Sequence, residues 1–170
     1  MNSIERREDI VKLLIESNKA LKGTAIAEKY NVTRQVIVKD IAILRAKGED
    51  IIATPDGYII KKNDNRVKAI IAVNHKANET FDEMSIVIKY GGIIEDVIVE
   101  HPLYGEIKGM LMVRNLYELN KFRDKYENQK AKLLSVLTNG VHLHTIAADN
   151  MENIQSIIAE LKEKNFIVSD

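Results

Sequence analysis

Apolar residues in the first fifty positions recur at helical spacing in three short segments. The first segment spans residues 4–17 and the second spans residues 25–30. The third begins after Thr33, which is a favourable N-cap residue, and runs to about Lys47 before Gly48 ends it. After the first helix, a short helix, a tight turn and a further helix together predict a helix-turn-helix.

The third helix has one apolar side and one polar side when its residues are placed about 100° apart. Ile37, Ile41 and Leu44 share the apolar side and are expected to pack on the first two helices. The opposite side suits a recognition helix in the major groove, where arginine can bind guanine and glutamine can bind adenine. The predicted DNA-contacting residues are Thr33, Arg34, Gln35, Val38, Lys39, Ala42 and Arg45. The alternative is a solvent-exposed face with incidental small residues.

A short hairpin is predicted directly after the third helix. Residues 51–60 form two runs of strand-forming residues around Pro55, Asp56 and Gly57, which favour a tight turn. A hairpin in this position is the wing of a winged helix-turn-helix, and its tip can contact the DNA backbone. We therefore assign residues 1–62 to a DNA-binding domain that ends at a polar run.

Residues 66–170 show a different pattern, in which short strands and helices alternate irregularly. Strands are predicted at 66–74, 93–100, 107–113 and 141–147, and helices at 80–90, 116–126 and 152–164. Two further extended segments are predicted at 133–137 and 166–168. This order favours an α+β sandwich, with one mainly antiparallel sheet covered by helices on one face. The whole chain is thus an α+β protein of two domains.

Composition excludes several classes of protein. Apolar residues make up 45% of the chain and charged residues 29%, as in ordinary globular proteins. The sequence has no apolar run near the roughly 20 residues that span a bilayer, and no signal peptide, so we expect no membrane partner and a cytoplasmic location. Without cysteine, the chain has neither disulfides nor thiolate metal ligands.

The net charge of zero conceals a mild asymmetry between the two parts of the chain. Residues 1–62 carry 12 basic and 9 acidic groups, whereas residues 63–170 carry 13 basic and 16 acidic groups. This distribution suits a nucleic-acid-binding N-terminal part with a C-terminal part that has another task. All four histidines lie in the second part.

Three of these histidines and one glutamate form a candidate metal site. His142 and His144 are two residues apart on a predicted strand, so both side chains project from one face, roughly 6.6 Å apart. His75 ends the first strand, and Glu83 lies early in the following helix. Such nitrogen and oxygen ligands suit Zn, Ni, Fe(II), Co or Mn and do not distinguish among them. The alternative is a set of histidines with purely structural roles.

A metal with an open coordination position could also activate water, so a metallohydrolase fused to a DNA-binding domain is a distant alternative. Against it, nothing in the sequence fixes a separate general base. The chain also has no phosphate-binding glycine loop, nucleophile elbow or dinucleotide fingerprint. A regulator is therefore favoured over an enzyme.

Two stretches of sequence resemble known domains. Residues 33–45 resemble the winged-helix module of small-molecule-responsive bacterial repressors. Residues 73–75, 100–106 and 137–146, with Gly-Val-His-Leu-His-Thr-Ile as the most specific element, resemble the three-histidine (3H) domain. Over nearly its whole length the chain is similar to the niacin-responsive transcriptional repressors.

This resemblance implies a homodimeric repressor of NAD biosynthesis and niacin uptake genes, which binds a palindromic operator with nicotinic acid as corepressor. It also implies one divalent transition metal per chain, held by His75, Glu83, His142 and His144. His101 and Tyr104 are candidates for the ligand pocket, and the alternative for His101 is a structural role at the strand turn. A metal-sensing repressor, in which the ion itself is the effector, is the main alternative.

Overall fold

The computed structural model describes residues 2–62 and 64–168, and the chain forms two compact units on either side of residue 63. The N-terminal unit contains α1 (Ser3–Glu16), α2 (Gly23–Lys29), α3 (Arg34–Ala46), β1 (Ile51–Thr54) and β2 (Gly57–Ile60). The C-terminal unit contains β3 (Val67–Asn74), α4 (Thr80–Lys89), β4 (Ile93–His101), β5 (Gly105–Val113), α5 (Leu116–Gln129), β6 (Val141–Ala148) and α6 (Met151–Glu163). Two short 3₁₀ helices are also present, Ala77–Glu79 and Leu134–Thr138. No helix in these described ranges is long and apolar enough to cross a membrane.

The N-terminal unit is a helix-turn-helix with a two-stranded antiparallel wing. The side chain of Thr33 accepts a hydrogen bond from the Val36 amide and so caps α3. Asn31 adopts a left-handed conformation, with φ of 51°, in the tight turn between α2 and α3. The apolar sides of the helices meet β1 in one core of Ile10, Leu14, Ile26, Ala27, Ile37, Ile41, Leu44 and Ile51.

The wing is joined to the loop before α2 by backbone pairing. The Leu21 amide donates to the Tyr58 carbonyl at 3.0 Å, and the Tyr58 amide donates to the Leu21 carbonyl at 2.9 Å. Gly57 permits this approach because a Cβ there would lie 2.3 Å from the Leu21 oxygen, and its φ of +133° also favours glycine. The wing is thereby held on the helical part of its own unit.

The C-terminal unit is a four-stranded antiparallel sheet in the order β3-β6-β4-β5. Alternate residues of its strands pack against α4, α5 and α6 in one core. That core includes Ile71, Val73, Ile94, Ile146 and Ala148 from the sheet and Met84, Val87, Leu119, Ile154, Ile157 and Leu161 from the helices. The predicted α+β class with a mainly antiparallel sheet is confirmed.

Two predicted extended segments differ in the structure. Residues 134–138 form a 3₁₀ helix, because Asn139 and Gly140 take left-handed conformations and the Gly140 amide donates to the Ser135 carbonyl, which closes a turn. The segment is too short for helical periodicity to be visible in its sequence. Residues 166–168 form only an isolated bridge, between Ile167 and Val73, instead of a full strand.

Candidate DNA interface and metal centre

The outer face of α3 is open to solvent. Each residue predicted to contact DNA is exposed: Thr33, Arg34, Gln35, Val38, Lys39, Ala42 and Arg45. Ile37, Ile41 and Leu44 are buried beneath them, as the helical pattern predicts. The apolar Val38 is 42% exposed, which is unexplained by packing within the unit but suits contact with a thymine methyl group.

A buried carboxylate on α3 was not anticipated from the sequence. The side chain of Asp40 is 3% exposed and accepts hydrogen bonds from Arg6 Nε at 2.7 Å and Arg7 Nη1 at 3.1 Å. These charge-assisted bonds hold α3 against the start of α1. Helical spacing could have indicated this burial, because Asp40 lies beside Ile37 and Ile41 on the apolar side of α3.

Four polar side chains of the C-terminal unit are buried together between the sheet and α4. We call His75, Glu83, His142 and His144 the His/Glu cluster. The two β6 histidines lie opposite Val73 and Ile71 of β3, in alternation with the core residue Ile146. The side chains of the cluster are between 0 and 3% exposed. The structure thus brings together all four residues that the sequence singled out.

The three imidazole rings converge on a single carboxylate oxygen. Glu83 Oε2 lies 3.0 Å from His75 Nε2, 3.4 Å from His144 Nε2 and 3.8 Å from His142 Nε2. The ligand atoms of His75, Glu83 and His142 lie within 4.8 Å of one another, and His144 joins this group through its contact with Glu83. These separations bracket the roughly 3.4 Å expected between ligand atoms around a tetrahedral ion with bonds of about 2.05 Å.

The other ring nitrogen of each histidine is held by a backbone carbonyl. His75 Nδ1 lies 2.9 Å from the Lys76 oxygen, His142 Nδ1 lies 2.8 Å from the Gly140 oxygen, and His144 Nδ1 lies 2.6 Å from the Asp96 oxygen. Because a carbonyl only accepts, each Nδ1 carries a proton and donates it. In the neutral imidazole this leaves the Nε2 lone pair available, and this is the arrangement of metal-bound histidines.

Two polar atoms of the cluster make no hydrogen bond. Glu83 Oε1 and His144 Nε2 are two of the three buried side-chain atoms without a hydrogen-bond partner in the described part of the chain, and the third is Thr80 Oγ1. An unsatisfied buried polar atom costs about 1–3 kcal/mol, so such atoms need an explanation. A cation bound to the cluster would satisfy both atoms, and the residues therefore fit a metal ion with nitrogen and oxygen ligands.

Charges within the cluster shift the pKa values of its members. Burial alone would lower the pKa of His75 and of His144, but the contacts with Glu83 outweigh it and both pKa values are raised. Burial alone would raise the pKa of Glu83, but the charge of His144 and the three imidazole contacts hold that pKa well below its usual range. Without a metal, His75 and His144 therefore bind protons more readily than free imidazoles do.

His101 and Tyr104, the predicted ligand-pocket residues, lie in the turn between β4 and β5. The backbone amides of Leu103 and Tyr104 point at His101 Nδ1, at 3.2 and 3.3 Å, so the imidazole has a local role in the turn. The two rings lie 5.0 Å apart, and Tyr104 is 70% exposed. Within residues 64–168, no hydrogen bond or ring contact joins this pair to the His/Glu cluster.

Each of the two units matches a known protein domain. Residues 6–59 match the model of an HTH domain, and residues 68–170 match the model of the 3H domain. The chain is 43% identical over 166 residues to the "Probable transcription repressor NiaR" of Thermotoga maritima, across 98% of this chain and 95% of that protein. It is 36% identical over 169 residues to the "Transcription repressor NadR" of Bacillus subtilis, across 97% of this chain and 94% of that protein.

These matches extend over both units and nearly the full length of the two relatives. They agree with the prediction of a DNA-binding regulator and not with the alternative of a metallohydrolase. The chain belongs to the NiaR-type family of transcription repressors, with an N-terminal HTH domain and a C-terminal 3H domain.

Proposed function

We propose that this repressor controls genes of NAD biosynthesis and niacin uptake, and that it requires a metal ion and nicotinic acid as corepressor. In this proposal residues 1–62 bind the operator, and residues 66–170 hold the metal and the corepressor. The observation that carries it is the buried His/Glu cluster, whose three imidazoles face one carboxylate oxygen within 3.8 Å. The proposal also rests on the resemblance to niacin-responsive repressors.

The DNA-binding part of the proposal assigns α3 to the major groove. Arg34 and Gln35 stand at its N-terminal end, where a recognition helix meets base edges. Arg34 also lines a pocket of about 310 Å³ with Lys22 and the wing residues 53–58, which include the acidic Asp56. A homodimer formed through the C-terminal unit would present two such helices to a palindromic operator in the cytoplasm.

The metal part of the proposal assigns one divalent transition ion to each chain. His75, Glu83, His142 and His144 would hold it, and the ion would supply a positive centre that attracts nitrogen or oxygen donors of a ligand. Zn, Ni, Fe, Co and Mn all accept this ligand set. The raised pKa values of His75 and His144 mean that the ion and protons compete for the cluster.

A pocket beside the His/Glu cluster is our candidate corepressor site. It has a volume of about 500 Å³, within the usual range for small-molecule pockets, and is lined by His75, Lys76, Ser135, Asn139 and neighbouring residues. Lys76 is the basic residue of this lining and can pair with a ligand carboxylate, although the lining also contains Glu79, whose Oε2 accepts the Lys76 amide at 2.8 Å. The pocket adjoins the backbone of a proposed metal ligand, whereas His101 and Tyr104 are a second candidate location.

A metal-sensing repressor is the second candidate function, and one observation favours it. The side chains of the cluster are at most 3% exposed, so a bound ion is enclosed by protein and could act without a second ligand. Operator affinity titrated with Zn²⁺ alone, with nicotinate alone and with both separates the two. Repression by metal alone would identify the ion as the effector.

The first prediction concerns base recognition by α3. Arg34→Ala or Gln35→Ala should each cost about 1–3 kcal/mol of operator affinity and relax the preference at one base position, since each removes a base-edge contact. Lys39→Ala should weaken specific and nonspecific DNA alike and reduce the salt dependence, as expected of a phosphate contact. Fluorescence anisotropy on the full chain measures both effects.

Lys162→Ala is the control for this prediction, because it removes an exposed positive charge from α6 of the other unit. It should leave operator affinity unchanged. Normal binding by all three α3 variants would show that the recognition surface is assigned to the wrong face.

The second prediction concerns the ion. Purified protein dialysed without chelator should contain one divalent transition metal per chain, and His144→Ala should strip or sharply weaken it because one of four ligands is lost. His101→Ala, which changes the histidine outside the cluster, should retain the metal. Elemental analysis measures the metal content of each protein. If wild type neither contains metal nor takes it up, the His/Glu cluster is a structural network and the prediction is wrong.

The third prediction concerns pH. In chelated protein, folding raises the pKa of His75 and His144, so this contribution to stability is complete below about pH 6.5 and is lost as the pH rises through the raised values. The lowered pKa of Glu83 contributes stability with the opposite pH dependence: this stability is complete above about pH 4.3 and is lost as the pH falls from there through the lowered value. The melting temperature of metal-free protein should therefore fall from mildly acidic to alkaline pH.

Glu83→Gln should flatten this fall, because it removes the charge that raises the histidine pKa values. Glu100→Gln, at an exposed site on β4, is the control and should leave the pH dependence of the melting temperature unchanged. Metal affinity, in contrast to the melting temperature of metal-free protein, should increase with pH, because the ligands lose the protons that compete with the ion. A flat profile in chelated wild type would contradict the prediction.

The fourth prediction concerns the corepressor. Nicotinate combines a ring nitrogen with a carboxylate, so it should bind metal-loaded protein at least about tenfold better than benzoate or nicotinamide, a difference of about 1.4 kcal/mol. Lys76→Ala should weaken the binding of nicotinate by a similar factor. His101→Ala should weaken it only if the corepressor binds at the β4–β5 turn. Calorimetry with and without metal measures each case. Equal affinities for benzoate and nicotinate would exclude coordination by the ring nitrogen.

A further inference from the structure

Two of the three histidines of the His/Glu cluster are held by carbonyls close to them in sequence. The ring of His75 pairs with the next residue, and that of His142 pairs with the carbonyl two residues before it. His144 differs, since its partner is the carbonyl of Asp96, 48 residues away on the neighbouring strand β4. The orientation of His144 therefore depends on the backbone of another strand.

The sheet is irregular at this point. Along β4 and β6, Ile94 pairs with Ile146 and Ile98 pairs with Leu143, so β4 contains one more residue than β6 between these pairs. Such a bulge interrupts the ladder of backbone hydrogen bonds and leaves groups that need other partners. Asp96 lies inside this bulge and is 2% exposed.

The carboxylate of Asp96 replaces the missing ladder partner. Its Oδ1 accepts the backbone amide of Thr145 at 2.9 Å, and Lys108 Nζ lies 3.3 Å from its Oδ2. Since the side chain satisfies this amide, the main-chain carbonyl of Asp96 is available to accept the proton of His144 Nδ1 at 2.6 Å. Both groups of one residue thus act on adjacent residues of β6.

We propose that Asp96 is the positioning residue of the metal centre, because its carboxylate holds the β4 bulge and so reserves its own carbonyl for His144. Without the carboxylate, the amide of Thr145 and the ring of His144 compete for a single carbonyl. A backbone amide that captures this carbonyl would release the His144 ring, and Nε2 would lose its fixed direction toward Glu83. This inference rests on the proposed metal site.

The test measures Co²⁺ binding to the full chain by its visible spectrum and by competition with a chromogenic chelator. Asp96→Ala removes the acceptor, and Asp96→Val removes it while filling more of the space. Both variants should weaken the affinity for Co²⁺ by about 10- to 100-fold, which is the usual effect of losing a residue that orients a metal ligand, and should alter the visible bands of bound Co²⁺. Asp96→Asn keeps an oxygen that can accept from Thr145 and should stay within about threefold of wild type.

Glu95→Ala is the matched control, because it removes the neighbouring carboxylate of β4, whose partner is Lys68 on the surface. It should leave Co²⁺ affinity unchanged. A second readout uses metal-free protein at alkaline pH, in which ¹⁵N NMR should find the His144 proton on Nδ1 in wild type and in Asp96→Asn. In Asp96→Val the His144 proton should lie on Nε2, or should be shared between Nδ1 and Nε2.

The outcomes separate the two proposals. Wild type that binds no Co²⁺ overturns the metal site, and with it this inference. Wild type that binds Co²⁺ with Asp96→Val unchanged overturns only the role of Asp96. Weakening by Asp96→Asn as severe as that of Asp96→Val also overturns it, because charge and not an acceptor would then be what matters.

Discussion

The C-terminal unit depends on one buried carboxylate. Glu83 is fully buried between α4 and the sheet, and a charge in that position is unfavourable unless cations surround it. Three imidazoles converge on its Oε2, and burial together with these contacts sets the pKa shifts of the cluster. Protons or a divalent ion can supply the positive charge. The same constraint therefore links the packing of the core to the binding of a cation.

The strands and loops around Glu83 are arranged to keep the histidines in one orientation. Each Nδ1 donates to a backbone carbonyl, so rotation of any ring would break the hydrogen bond that holds it. The N-terminal unit also contains a buried carboxylate with an orienting role: Asp40 binds Arg6 and Arg7, and these ion pairs fix α3 on α1. In each unit a buried carboxylate orients the residues proposed to act on a ligand.

Local pattern was sufficient for most of the fold and for the candidate site residues. Helical spacing and the Thr33 cap predicted α3 with its buried and exposed faces, and strand alternation placed His142 and His144 on one side of β6. Patterning failed where a segment was too short to show a period, as in the 3₁₀ helix at residues 134–138. It also could not reveal the arginine partners of Asp40, which lie 33 and 34 residues away.

The sequence by itself therefore determined the two-part architecture, the exposed face of α3 and the four residues of the His/Glu cluster, because each follows from local spacing and residue chemistry. Only the tertiary structure decided that these four share one buried oxygen, since His75 and Glu83 reach β6 across the packing of α4 on the sheet. It alone also showed Asp96 next to His144. A bulge depends on the register between two strands, and no single stretch of sequence encodes that register.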